Sequence, residues 1–114
     1  MNHNHTILLN RKRNGLSQGE LAKLLGISQS VLCRIEDGQV ANIQFDVVLA
    51  LMVVFGVPLN RMFPQRYTKV EEDVMARAAD LYQAHESKTD RKSLQKRNLC
   101  DQMMRRATAN LQGA

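Results

Sequence analysis

An all-α fold is expected from this sequence. Leu, Met, Ala, Gln, Lys and Arg are abundant and Pro and Gly are sparse, the balance that helices favour. Apolar residues recur at helical spacing along most of the chain. Gly15, Gly26, Gly38 and Gly56 each close one of those apolar runs.

The chain has 114 residues, enough for one domain or for one small domain with an extension. Residues 1–68 read as the domain and 69–114 as a helical extension. Hydrophobic residues make up 44%, so a core is within reach, and with no Trp and 4% aromatics that core is aliphatic.

Residues 1–5 are polar and terminal and are expected to fray. His3 and His5 there are read as holding no metal. A first helix is expected over 6–14, with Ile7 and Leu8 inward and Arg11, Lys12 and Arg13 at its basic end. Ser17 and Glu20 have capping-box spacing, so a second helix starts at Gln18. Leu21, Ala22, Leu24 and Leu25 give it an apolar face. Gly26 stops it, because glycine takes the left-handed conformation without penalty. Ser28 caps a third helix, whose inward residues are Leu32 and Ile35. Its outward residues are Gln29, Ser30, Cys33 and Arg34. Two short helices joined by so tight a turn have helix-turn-helix spacing.

An uncharged connection, 39–42, leads to a fourth helix over 43–55. Phe45, Val48, Leu49, Met52 and Phe55 form one stripe of it, but Val47, Leu51, Val53 and Val54 are apolar as well. A helix apolar all round is covered all round, so something beyond the first three helices must cover the second face. Pro58 opens a fifth helix over 59–63 and Pro64 closes it, with 65–69 read as a linker. Further helices are expected over 70–85 and 91–111, parted by a polar break at 86–90. The first has acidic Glu71, Glu72 and Asp73 at its N-terminal end.

The net charge of +5 and pI of about 9.6 suit a polyanionic partner such as nucleic acid. Cys33 and Cys100 have neither metal spacing nor a disulfide-rich pattern and read as thiols of a reducing compartment. No apolar run approaches the roughly 18 residues of a membrane helix, and no signal peptide opens the chain. The expected location is cytoplasmic. Nothing reads as an enzyme: there is no carboxylate pair in a pocket-forming context, no Cys/His nucleophile arrangement and no Gly-rich phosphate loop. No cofactor is expected.

Residues 7–63 resemble the Cro/repressor-type (XRE) helix-turn-helix family, the lambda-repressor-like DNA-binding domains. The matching residues are Arg11, Gly15-Leu16-Ser17-Gln18, Glu20-Leu21-Ala22, Leu24-Leu25-Gly26-Ile27-Ser28, Ser30, Leu32, Arg34-Ile35-Glu36, Gly38 and Phe55-Gly56-Val57-Pro58-Leu59. The resemblance implies a five-helix domain with the helical extension behind it. It implies an ion pair between Arg11 and Glu36, and a third helix that enters the major groove. Departures are the connection Gln39-Val40-Ala41-Asn42, where relatives often carry Lys or Arg and a Pro, and Asn10 where a Leu is usual.

In that geometry Gln29 pairs with adenine and Arg34 with guanine, with Ser30 and Cys33 beside them. Gln18 resembles the family's phosphate anchor. Arg13 and Asn42 are weaker phosphate candidates, as are Lys12 and Gln44, and Ser28 joins the DNA-facing set. The implied function is a bacterial or phage regulator, expected to be a repressor, located at the nucleoid when bound. A homodimer would read a palindromic operator. The second face of the fourth helix and the tail, with Leu81, Met104 and Leu111, are the expected buried contacts of that dimer, or of a tail folded back in cis. The alternative is an antitoxin or bridging protein that holds a protein partner with the same domain and tail. The basic residues of the tail read as a solvated helix face.

Overall fold

Local chemistry sets most of the helix ends. In a computed structural model that describes residues 5–112, with side-chain surroundings described for 6–109, the helices are α1 (His5–Arg13), α2 (Gln18–Leu25), α3 (Gln29–Glu36), α4 (Phe45–Phe55), α5 (Leu59–Met62), α6 (Pro64–Ala84) and α7 (Arg91–Gln112). His3 and the His5 side chain lie outside the described residues, and so does the side chain of Leu111. Ser17 Oγ accepts from the Glu20 backbone N–H at 3.1 Å, and Glu20 Oε1 accepts from the Ser17 N–H at 2.8 Å. This reciprocal box satisfies two donors that the first turn of α2 leaves open. Gly26 ends α2 at φ 73°, a left-handed conformation that a Cβ would strain. Ser28 Oγ then accepts from the Val31 N–H at 3.2 Å and starts α3.

The chain divides into two compact units, 1–64 and 65–114. In the first, α2 packs on α3 and α4, and α1 packs on α3 and α5. Ile7, Leu21, Leu32, Leu51 and Met62 are fully buried, with Ala22, Leu25, Ile35 and Val47 beside them. Ala22 is small where α2 meets its neighbours, so their backbones approach closely. Leu24, placed on the inward face by its spacing, is 57% exposed instead. Asn10, in place of an apolar residue, donates through Nδ2 to the Thr6 carbonyl at 2.8 Å. Its polar end is thereby satisfied within the helix.

α4 is not covered all round, although its composition led to that expectation. Val47 and Leu51 face the core, while Phe45 and Leu49 of the other apolar stripe are exposed. Among the described residues Val53 is the most exposed of the large apolar ones, at 85%. Periodicity alone had no power to choose, because every face of this helix is apolar. The choice was made by which residues the core of α2 and its neighbours could accommodate.

The second unit also departs from expectation at its start. Pro64 does not close a helix; it opens α6, and 65–69 are helical rather than a linker. Proline suits a first helical turn, where its missing N–H has no intrahelical partner to lose. α6 and α7 form an antiparallel hairpin: Cys100 Sγ donates to the Ala78 carbonyl at 3.5 Å, and His85 Nδ1 lies 2.9 Å from Ser93 Oγ. Asp90 caps α7 by accepting from the Ser93 N–H at 3.2 Å and from its hydroxyl at 2.7 Å. With the Ser93 proton spent on Asp90, Ser93 Oγ accepts from His85 Nδ1–H. Arg97 turns its guanidinium onto the carbonyl oxygens of His85, Glu86 and Lys88, which ties down the turn. Among the described residues, buried side chains in the hairpin are few: Ala78, Ser93 and Cys100. Leu81 and Met104, expected to be buried, are 38% and 57% exposed in the single chain. Among the described residues no helix is long and apolar enough to cross a membrane.

Candidate nucleic-acid interface

The candidate site is built on the first turns of α2 and α3, both positioned by serine caps. Ser17 holds the start of α2, which sets Gln18 at its first position, half-buried. Ser28 holds the start of α3, so its own hydroxyl is engaged with the Val31 N–H. Gln29 and Ser30 follow on the first turn of α3, and Arg34 lies one turn on; all three are exposed. Cys33 is half-buried, and its thiol reaches Asp37 Oδ2 at 3.7 Å. Leu32 and Ile35 point the other way into the core. One helix therefore anchors itself on one face and presents a polar set on the other.

Behind this surface sits a partly buried ion pair. Arg11 Nε donates to Glu36 Oε2 at 2.8 Å and Arg11 Nη2 donates to Glu36 Oε1 at 3.2 Å. Arg11 Nη1 also donates to the Leu16 carbonyl at 3.2 Å. This two-pronged pairing ties α1 to the end of α3 and fixes the angle at which α3 is presented. Glu36 is 6% exposed, so the pairing is what makes its burial tolerable.

The structure brings together residues that sequence spacing had kept separate. Gln18 Nε2 donates to Glu36 Oε1 at 3.0 Å, and Gln29 Nε2 reaches Gln18 Oε1 at 3.4 Å. A line of polar contacts thus runs from the ion pair out to the first turn of α3. Arg13, at the basic end of α1, and Asn42, in the bend before α4, are exposed. Neither joins that line.

Gly19 is a position that sequence reading passed over. A Cβ built there would lie 3.3 Å from Gln29 Oε1. The available signal was a glycine inside a helix, a place where it weakens the helix relative to alanine. Glu20, fully engaged in the cap, has its carboxyl held below the usual range, first by the Ser17 backbone N–H and then by the Ser17 hydroxyl. Chemically the surface offers amide, hydroxyl and guanidinium donors on a groove-sized helix. Among the described residues no cluster of His, Cys, Asp or Glu could hold a metal ion.

Residues 9–62 match the family model described as a helix-turn-helix domain. No curated protein and no solved structure matches the chain.

Proposed function

With residues 9–62 belonging to the helix-turn-helix domain family, we propose that this chain is a sequence-specific regulator of transcription that binds double-stranded DNA. It acts as a repressor, with α3 in the major groove and one protomer on each half of a palindromic operator. The observation that carries this reading is the exposed set Gln29, Ser30 and Arg34 on a helix whose opposite face is locked in the core. Gln29 reads adenine and Arg34 reads guanine by paired hydrogen bonds. Gln18, Arg13 and Asn42 contact phosphates, and Ser28, Ser30 and Cys33 line the approach to the bases. The chain works in the cytoplasm of a bacterium or of a cell carrying its phage.

The dimer is assigned to the hairpin. Two helices alone bury little, and Tyr67, Val70, Val74, Leu94, Leu99 and Met104 remain exposed on them. A second hairpin laid against the first would cover those residues as a four-helix bundle does. The same exposed residues support a second reading, in which the tail holds a protein partner and the chain is an antitoxin or a bridging protein.

Selection of bound sequences from random DNA tests the first reading, with affinity measured as salt is raised. A recovered palindrome and a steep loss of affinity with salt are expected. No enriched sequence, or a flat salt dependence, would remove it. Sedimentation of the purified chain tests the dimer: a monomer at micromolar concentration removes it. Purification with a second protein in equal amount would favour the partner reading.

A further inference from the structure

The hairpin of α6 and α7 is apolar at one end and polar at the other. At the open end, away from the turn, Tyr67, Val70, Val74 and Met75 of α6 and Met103 and Ala107 of α7 line a groove, with Glu71 and Arg106 on its walls. Tyr67, Val70 and Val74 are exposed there. At the other end the turn is Glu86-Ser87-Lys88-Thr89-Asp90, without an apolar residue. Charge is divided as well. α6 carries four acids and three bases, and α7 carries six bases and one acid.

We propose that this groove seats the same groove of a second copy, with the two hairpins side by side, both turns at one end, and α6 of each against α7 of the other. This rests on the hairpin dimer proposed above and states its pairing. A two-fold axis along the helices produces the arrangement and sets the two apolar ends together. Laid the other way, with the turns at opposite ends, each apolar groove would meet the partner's polar turn. α7 would then lie along a second α7, base against base. Like charges brought together at an interface oppose association.

The register of the hairpin makes the charges match. Ala78 lies level with Cys100, and His85 with Ser93. Both helices rise equally per residue, so the same register brings Glu72 level with Arg106 and Asp73 level with Arg105 at the open end. A two-fold along the helices keeps these levels between α6 and the partner's α7. Among the described residues Glu72, Arg105 and Arg106 make no ion pair within the chain, and Asp73 takes Lys69 at 3.2 Å across one exposed turn. An exposed pair of that kind holds Asp73 only weakly. The acids of α6 and the arginines of α7 thus stand at one height, opposite in sign, and free to meet those of a second copy. Both copies of Pro64 then lie at one end of the bundle, so both DNA-reading units are attached there.

The test uses the full-length protein. Reversing the acids, Glu72→Arg with Asp73→Arg, sets arginine against arginine. Reversing the bases, Arg105→Glu with Arg106→Glu, sets acid against acid. Each variant alone should dissociate about tenfold more readily than the parent in sedimentation at low salt. The two mixed in equal amount should dimerise about as tightly as the parent, because every α6 then meets a partner α7 of opposite charge. Charges that act only across the single hairpin would gain nothing from mixing. A nitroxide on Thr89→Cys in a Cys33→Ser background reads the arrangement with these charges intact, since Cys100 is buried. Turns at one end place the labels about 20 Å apart, roughly two helix diameters. Turns at opposite ends place them about 30 Å apart or more, the length of the 21-residue α6. Reversed variants as tight as the parent, a mixture no tighter than its components, or the longer distance overturns the pairing and leaves the dimer standing. A parent that is monomeric at micromolar concentration removes the dimer and the pairing with it.

Discussion

The two units of this chain solve burial in opposite ways. The first sends large aliphatic residues from every one of its helices to one centre, where Ile7, Leu21, Leu32, Leu51 and Met62 are fully buried. The second buries the small residues Ala78, Ser93 and Cys100 and leaves Val70, Val74, Leu81 and Met104 exposed. A core of the first kind supports itself. A hairpin of the second kind leans on capping and turn chemistry, seen in the bonds among His85, Asp90, Ser93 and Arg97. The difference separates a unit that closes over its own aliphatic core from a hairpin whose large apolar residues stay exposed.

The largest expected effect lies where the first unit is charged. Glu36→Ala leaves the partly buried Arg11 guanidinium with only the Leu16 carbonyl, which costs up to about 3–5 kcal/mol. Chemical denaturation reads it, and a loss below about 1 kcal/mol would mean that Arg11 finds water and that the pair does not orient α3.

Next comes the contrast between the cores. Leu51→Ala should cost about 2–5 kcal/mol, since Leu51 has no exposure and a cavity would remain. Leu81→Ala, at 38% exposure, should cost under about 1 kcal/mol at low protein concentration. If the Leu81 cost grows with protein concentration, a second chain covers it in solution. If it equals the Leu51 cost at high dilution, the two units are not the contrasting structures described above.

A smaller effect is expected at the caps. Ser28→Ala frees the Val31 N–H and should cost about 1 kcal/mol. DNA affinity should fall with it, because the first turn of α3 carries Gln29 and Ser30. A variant with parental melting and parental affinity would show that the turn is held by packing alone.

The smallest effect separates the units by pH. Desolvation pushes the His85 imidazole below its ordinary 6.5, with Lys96, Lys88 and Arg97 adding to this and Asp90 opposing it. The unfolded chain then binds the proton more readily, so hairpin stability is complete above pH 6.5 and declines as pH falls below it. The Asp90 carboxyl is lowered from 3.8, first by the Ser93 hydroxyl and then by its N–H, so its contribution is lost at still lower pH. Amide protection across α6 and α7, taken relative to the intrinsic exchange rate at each pH, should fall between pH 7 and pH 5, and His85→Asn should remove that dependence. An unchanged profile in the variant assigns the effect elsewhere.

Much of the first unit was legible in the chain because its determinants are local. The box of Ser17 and Glu20, the Gly26 stop and the Ser28 cap each act within four residues, so spacing alone places α2 and α3. The outward positions of Gln29, Ser30 and Arg34 follow from the same helical period. The inward face of α4 was not legible, since a helix apolar on all sides has no preferred stripe until neighbours choose one. Pro64 was ambiguous for a related reason: proline ends one helix and begins another with the same fixed φ. The contacts of Gln18 with Glu36 and Gln29 join residues 18 and 11 positions apart, and no local rule connects them. The sequence by itself determined where α2 and α3 begin and end and which residues of α3 face outward, because those are matters of capping and period. Tertiary structure decided which face of α4 meets the core, that the tail starts at Pro64, and how the amides beside α3 are aligned, because each depends on atoms brought together only by packing.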